Sequence, residues 1–444
     1  MRESEQVSNE ELAHEICRVL RRNGRQAFLV GGCVRDRLLG RPVEDFDIAT
    51  DARPGEVAAL FPGCHLVGAH FGVAAVHRGD ARVEVATFRS DGPYSDHRRP
   101  DSVRFETDPR ADALRRDFTI NALFLDPATG EILDFAGGRQ DLAQGVVRAI
   151  GDPAARFAED HLRLLRAVRF AARLGFTIEP RTATAIQESR QGLLTVAPER
   201  TRAELDRILT EGGARPGFEW LNTLGLLDTV LPEVAAMRGV AQPPQFHPEG
   251  DVWTHTLLML GAMENPSLSL AWGILLHDVG KPPTFRVAER IRFDGHATVG
   301  ARIAVEILTR LRAPGAVVQR VDTLVAEHLR FIDVPRMRES TLRRFLREPH
   351  FEELLELHRL DCLSSHRNLG TYEALRRRLG ELEAEELRPP PLVRGGDLIA
   401  MGYAPGPRFR EVLAAVEDAQ LESRVSRREE ALELARRLLD QNGR

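Results

Sequence analysis

The chain opens on a helical period. Within residues 1–25, Leu12, Ile16, Val19 and Leu20 share one side of an amphipathic helix. The pattern then shortens to apolar runs separated by turns: AFLVGG, DFDIAT, FGVAAV, RVEVATF, NALFLD and EILDF, all between residues 27 and 140. Strand-like runs with brief helical pieces between them predict a mixed sheet with helices. After Gly151 long helical patterns run almost to the end, broken at PGFEWLNTLG, QPPQFHPEGD, KPPTF, RPPPLVRGGD and YAPGPRF. The expected fold class is α+β: an N-terminal mixed domain followed by a long all-α region. RPPPLVRGG, near residues 388–396, reads as a linker.

The 444 residues are 43% hydrophobic and 29% charged, which fits a globular chain and excludes a disordered or fibrous one. No stretch approaches the ~20 apolar residues of a membrane span. The start, MRESEQVSNEELAHE, lacks the features of a signal peptide, so a cytoplasmic location is expected. Cys17, Cys33, Cys64 and Cys362 form no CxxC pair, which argues against a zinc ribbon or a disulfide scaffold. The net charge of −5 exerts no global pull on nucleic acid, so a binder of nucleic acid would need a local basic face. Lys281 is the one lysine among 61 basic residues; GC-rich codon usage accounts for the arginine excess.

Candidate chemistry begins at FLVGGCVRDRLLG, read as a strand, a Gly31-Gly32 turn and a helix. Two glycines admit close backbone approach to a ligand, and the helix start offers N–H groups to an anion such as a triphosphate; an ordinary tight turn has the same signature. In GRPVEDFDIAT, Asp45 and Asp47 lie two apart in a strand-like run, so both carboxylates share a face while Phe46 and Ile48 point to a core. Glu84, between Val83 and Val85, adds a third carboxylate. Like charges on one strand face repel, and divalent cations relieve the repulsion; solvated strand-face acids are the plain alternative.

GGxVRD, DFDIAT, VEVATFR and RRDFTINAL, in that order, resemble the class II tRNA nucleotidyltransferase and bacterial poly(A) polymerase family. The resemblance implies a polymerase beta-like nucleotidyltransferase head, followed by an all-α neck, body and tail. It places Mg²⁺ on Asp45 and Asp47, with Glu84 as third catalytic carboxylate. It puts Gly31, Gly32 and Arg35 at the triphosphate, and Arg116 and Asp117 at the ribose. The stretch between Arg89 and Arg115 matches the family's flexible loop at Tyr94, Asp96, Arg98, Pro100, Val103 and Phe105, a loop linked to the switch from adding C to adding A.

GDPAARFAEDHLRLLRAVRFAARLGF predicts one helix from Pro153. Leu164, Leu165, Ala167, Val168, Ala171 and Ala172 share its apolar face, while Glu159, Arg163, Arg166, Arg169 and Arg173 fall within an opposite arc of roughly 120°. That basic arc is the candidate local patch; a solvated arginine face is the alternative. Glu159-Asp160-x-x-Arg163 matches the family's EDxxR motif, by which Asp160 and Arg163 read a base edge and Arg166 and Arg169 join the nucleotide site. A Glu159–Arg163 surface pair is the plain reading of the same residues. In PERTRAELDRIL, Arg200, Arg202, Glu204 and Arg207 brace that helix or touch RNA.

WTHTLLML, ILLHDVGKPPTF, FDGHATVGA, AEHLRF and HRLDCLSS supply His255, His277, Asp278, His296, His328 and Asp361 in order, with Lys281 in the HDVGK element. The set resembles the HD phosphohydrolase domain and implies a second metal site, for a divalent transition metal. The expected domains are a head at 1–148, a neck with the base-reading region at 149–240, an HD-type domain at 241–387 and a tail at 388–444. The resemblance implies template-independent addition of CCA to tRNA 3′ ends from CTP and ATP, together with an HD phosphohydrolase activity. Poly(A) polymerase, or a metal phosphohydrolase with a regulatory head, are the alternatives. Neither a membrane nor a protein partner is implied.

Overall fold

The computed structural model describes residues 7–67, 69–94, 100–382 and 389–441. Met1–Gln6, Asp96, Arg98, Arg388 and the expected junction at 387/388 lie outside the described residues. The chain divides into two compact units, one of residues up to Ala235 with Arg310–Ala313, the other of Ala236–Thr309 with the remainder.

In the first unit the expected amphipathic helix, α1 (Asn9–Arg22), starts in a capping box. Ser8 accepts from the Glu11 N–H, and the Glu11 side chain answers the Ser8 backbone. Leu12, Ala13, Ile16, Cys17 and Leu20 are buried on one face. The sheet has β1 (Ala27–Val30), β2 (Asp47–Thr50), β3 (Cys64–Leu66), β4 (Val73–Arg78), β5 (Ala81–Thr87) and the strands Leu123–Leu125 and Ile132–Asp134. Their spatial order is β3-β4-β5-β2-β1, then Leu123–Leu125 and Ile132–Asp134. β2 and β5 pair in parallel, with Asp47 opposite Glu84; β1 and β2 pair antiparallel, with Val30 opposite Asp47. Phe46, Ile48, Val83 and Val85 face the core, as their alternation with acids predicts.

Two expectations about local structure are corrected. The stretch between Arg89 and Arg115 is no plain loop. Arg89–Asp91 pairs antiparallel with Val103–Phe105, and Pro109–Leu114 is helical. The helix expected from Pro153 is broken: Pro153–Glu159 ends at Asp160 (φ −151°, ψ 104°), and a second helix runs from Arg163 to Leu174. The physical reason is local competition. The Asp160 carboxylate accepts the Leu162 N–H at 3.1 Å, as a short acidic side chain does when it displaces a helical bond. Leu164, Leu165, Ala167, Val168, Ala171 and Ala172 are nonetheless all buried on the second helix. Truncating such a leucine to alanine costs ~2–5 kcal/mol.

The second unit is almost wholly helical, around a core that includes Trp272, Leu275, Leu324 and Leu357. At its end Leu398, Val412, Val416, Ala431, Ala435 and Leu439 form a cluster that also takes in Val393, with Leu392 packed against it. The latter half of the expected linker is therefore anchored by burying its apolar residues.

Candidate active site

In the head, β1 delivers the chain into a turn at Gly31 (φ +74°). A Cβ there would lie 3.2 Å from the Arg116 Nη1 and 3.9 Å from the Asp47 Oδ2, so glycine is required by conformation and by closeness. Gly32 opens α2 (Gly32–Leu38). Beside this turn stand Asp45, Asp47 and Glu84, all open to solvent at their outer faces. Desolvation raises the Asp47 carboxyl above the usual aspartate range; Arg116 opposes this, while Glu84 and Asp45 add to it. Charges of one sign are thus crowded around a partly desolvated carboxylate. An all-oxygen donor set under such repulsion fits a hard divalent cation. Glu84 also meets Arg82 at 2.6 Å.

The arginines expected at the nucleotide are held by internal partners. Arg35 is buried; its Nε and Nη2 donate to Asp36 at 2.8 and 2.9 Å, and its Nη1 donates to Asn121 at 2.8 Å. These bonds hold the guanidinium beside the turn. Arg116 lies 3.1 Å from Asp112 rather than against its neighbour Asp117, and its Nη1 donates to the Asn121 carbonyl at 3.3 Å. Asp117 pairs with Arg166 across 2.7 Å, while its Oδ1 accepts from the Phe118 N–H at 2.8 Å and from Asn121 at 3.1 Å. Burial would raise Asp117, but Arg166 and Asn121 outweigh it and bring the carboxyl to about 2. A carboxylate has about four acceptor sites, and these donors occupy most of them.

The arginine face of the helix Arg163–Leu174 is likewise neither a solvated face nor a free basic patch. Arg169, 3% exposed, meets Glu204 at 2.9 Å, and Arg173 meets Glu211 at 3.5 Å. Burial pushes the Arg169 guanidinium down to about 10, against the pull of Glu204. Asp160 and Arg163, expected to converge on one ligand, point at different partners. Asp160 takes two bonds from Arg200, at 2.8 and 3.2 Å. Arg163 bonds Glu159, the plain alternative, and the Arg156 carbonyl at 2.8 Å. Of the two roles left open for PERTRAELDRIL, Arg200 and Glu204 here show bracing. The helix break at Asp160 separates Asp160 from Arg163, which do not sit on one continuous helix face.

In the second unit the six expected ligands converge. His255 Nε2 lies 3.2 Å from Asp361, and His277 Nε2 lies 3.2 Å from Asp278. His296 and His328 bring their Nε2 atoms to 3.6 and 3.9 Å from Asp278 and to 3.3 Å from each other. Gly280 permits this: a Cβ there would lie 2.1 Å from the His296 carbonyl and 2.6 Å from the Gly300 nitrogen. The Nδ1 of His277, His296 and His328 each faces a backbone carbonyl, from Ile274, Phe293 and Val325. A carbonyl only accepts, so each ring carries its proton on Nδ1 and turns an Nε2 lone pair inward. The buried Nε2 atoms of His255 and His277 make no aligned hydrogen bond and meet only the carboxylates of Asp361 and Asp278, whose Oδ2 is also shared with Lys281. Inward imidazole nitrogens gathered on buried carboxylates are what a bound cation completes, and the mixed imidazole–carboxylate set fits a transition metal.

Burial holds His328 down at about 4. Burial opposes a charged His255 as well, but Asp361 and Glu249 lift it to about 9. The Lys281 ammonium lies 2.6 Å from Asp278 and donates to Gln242 at 2.6 Å. Glu249, His247 and Gln242 were missed from sequence. QPPQFHPEGD registers there as a Pro/Gly break, although two titratable residues just before a helix were the available signal.

Residues 27–148 match the poly A polymerase head domain. Residues 175–238 match the probable RNA and SrmB-binding site of polymerase A, and residues 252–364 match the HD domain. A polymerase head followed by an HD-type helical domain is the class of protein that this fold defines. The chain is 35% identical over 427 residues to an A-adding tRNA nucleotidyltransferase of Deinococcus radiodurans, covering 91% of this chain and 94% of that one. It is 45% identical over 221 residues to a CCA-adding enzyme of Geobacillus thermodenitrificans, with 54% of that relative covered. The matched part thus spans about half the length of that relative. The solved CCA-adding enzyme of Bacillus stearothermophilus in complex with CTP superposes with a TM-score of 0.73 at 28% identity, over 98% of this chain and 99% of that one. The chain belongs to the tRNA nucleotidyltransferase and poly(A) polymerase family. Among the described residues no helix is long and apolar enough to cross a membrane.

Proposed function

We propose that this protein adds CCA to tRNA 3′ ends from CTP and ATP, releasing pyrophosphate, in the cytoplasm. The observation that carries the reading is the registry of Asp47 opposite Glu84, beside Asp45 and the Gly31 turn. Asp45 and Asp47 hold Mg²⁺, with Glu84 alongside; when bound, the ion neutralises charge on the triphosphate. The 3′-hydroxyl of the RNA attacks the α-phosphorus in line and pyrophosphate leaves. The chain's own work is positioning. Gly31 keeps the backbone clear of the nucleotide, Arg116 offers positive charge at Asp47, and the Asp117–Arg166 pair fixes the helix that carries Arg163. Asp160 and Arg163 read the incoming base after exchanging their internal partners for its edge.

The six-residue cluster of the second unit would hold a divalent transition metal for phosphoester hydrolysis, which would supply Lewis acidity at a phosphoryl oxygen. Lys281 contributes a compact cation at that site.

The test is extension of a tRNA transcript ending at the discriminator base, with CTP and ATP supplied singly and together. A stop after C, C and A establishes the reading. A-only addition is the second reading, favoured because the relative aligned along nearly the whole chain is an A-adding enzyme. It predicts extension only of a transcript already ending in CC. A long A ladder from ATP alone would make the protein a poly(A) polymerase. Loss of neither activity in Asp45→Ala would overturn the assignment of the head's carboxylates, and phosphoester hydrolysis with no nucleotide addition in the wild type would leave a phosphohydrolase.

A further inference from the structure

The four histidines of the second cluster are not oriented alike. His277, His296 and His328 each direct Nδ1 at a backbone carbonyl, at 2.8, 2.9 and 2.7 Å. His255 directs its Nδ1 at a side chain, the Glu249 Oε1, at 2.7 Å. The same oxygen lies 2.9 Å from the Nδ1 of His247. An ionised carboxylate oxygen only accepts, so both rings point N–H at it. The Glu249 side chain is 8% exposed, and its Oε2 is buried without a hydrogen-bond partner.

Glu249 arrives on the loop from Gly239 to Asp251, and that loop is closed at its base. The Gly239 N–H donates to the Asp251 Oδ2 at 2.6 Å, and the Val252 N–H donates to the Val240 carbonyl at 3.1 Å. Asp251 also caps the next helix, accepting from the Thr254 N–H at 2.8 Å. Three residues into that helix stands His255, buried completely. The loop and the helix are therefore one construction that places the carboxylate behind the ring.

We propose that Glu249 is a positioning residue for the metal centre. It fixes His255 in the tautomer whose Nε2 is open to the ion and strengthens that nitrogen as a donor, while His247 holds Glu249 in turn. The inference rests on the reading of this cluster as a metal centre. A backbone carbonyl orients a ring but brings no net charge. The carboxylate adds electron density to the imidazole, and loss of such a partner costs about 10–100-fold in metal affinity.

The test uses the full chain, stripped by a chelator and titrated with Co²⁺, whose visible absorption reports the ligand set. Affinity is read by calorimetry for the wild type and for Glu249→Ala, Glu249→Gln, His247→Ala and His255→Ala. Glu249→Ala is expected to weaken Co²⁺ about 10–100-fold and to change the absorption band. Glu249→Gln keeps an acceptor oxygen and the fold but not the charge, and is expected between the two. His247→Ala is expected to have a smaller effect than Glu249→Ala. If His255→Ala loses Co²⁺ while both Glu249 variants bind within about twofold of wild type with an unchanged band, outside the range for such a partner, the role of Glu249 is overturned and the metal centre stands. If the wild type takes up no Co²⁺, or His255→Ala binds normally, the metal-centre reading itself falls.

Discussion

Replacing Arg166 by methionine removes the cation that faces Asp117 and keeps most of the side-chain volume. The pair is close, at 2.7 Å, and the Asp117 side chain is 9% exposed. The drop of Asp117 from the ordinary 3.8 to about 2 corresponds to roughly 2–3 kcal/mol, at ~1.4 kcal/mol per pH unit. Breaking a buried pair by deleting one partner costs ~3–5 kcal/mol. Arg166 is partly open to solvent, so a loss of ~2–4 kcal/mol at pH 7 is expected. The folded-state pKa of Asp117 is depressed, so its contribution is complete above the ordinary aspartate value and disappears as pH falls through the folded value. The gap between wild type and variant should therefore be constant from pH 7 to about 5 and close between about 4 and 2. Because the chain has two units, whole-protein unfolding is a poor measure. Hydrogen exchange of peptides covering 117–125 and 163–174 across a urea series reads the head directly. A loss below ~0.5 kcal/mol, the scale of a surface change, or a gap that survives at pH 2, would refute the argument that Asp117 is a charged brace.

Asp45→Ala and Asp47→Ala should each reduce nucleotide addition by at least about 10²–10³-fold, the scale for losing charge stabilisation, while phosphoester hydrolysis by the second unit persists. Gly280→Ala forces a methyl into the His296 carbonyl and should cost ~1–3 kcal/mol or more; Co²⁺ uptake is lost and nucleotide addition retained, and normal uptake would show that the cluster does not need this packing. Arg163→Ala should lower discrimination between correct and incorrect nucleotides by about 10–100-fold, the worth of one good base contact, read from single-nucleotide incorporation rates. Chelator treatment should lower the melting temperature of the second unit, with recovery on adding a divalent transition metal. An unchanged melt would exclude a structural contribution from the ion.

Much of the site was legible before any coordinates. Alternation along DFDIAT and RVEVATF dictates which side chains share a face, because a strand has period two. That placed Asp45, Asp47 and Glu84 outward and Phe46, Ile48, Val83 and Val85 inward. The ordered His and Asp positions of the second unit likewise announced a cluster, since six such groups at compatible places in helices are hard to reconcile with packing alone. Local composition also marked the Gly31 turn and the apolar face of the helix Arg163–Leu174.

What tertiary structure alone decided is pairing. Nothing in RRDFTINAL says that Arg116 reaches back to Asp112 while Asp117 takes Arg166 from a distant helix. Helical spacing put Asp160 and Arg163 together, yet Arg200, brought in from another helix, holds Asp160 where the backbone leaves the helix. An arginine-rich arc has the same sequence whether it meets solvent, RNA or glutamates, and only packing supplied Glu204 and Glu211. Glu249 is the same lesson in reverse. A loop residue has no periodicity to reveal its direction, so its role beside His255 emerges only when the loop closes. Periodicity fixes faces because backbone geometry is local, whereas the partner of a charge is set by which elements the fold brings within a few ångströms.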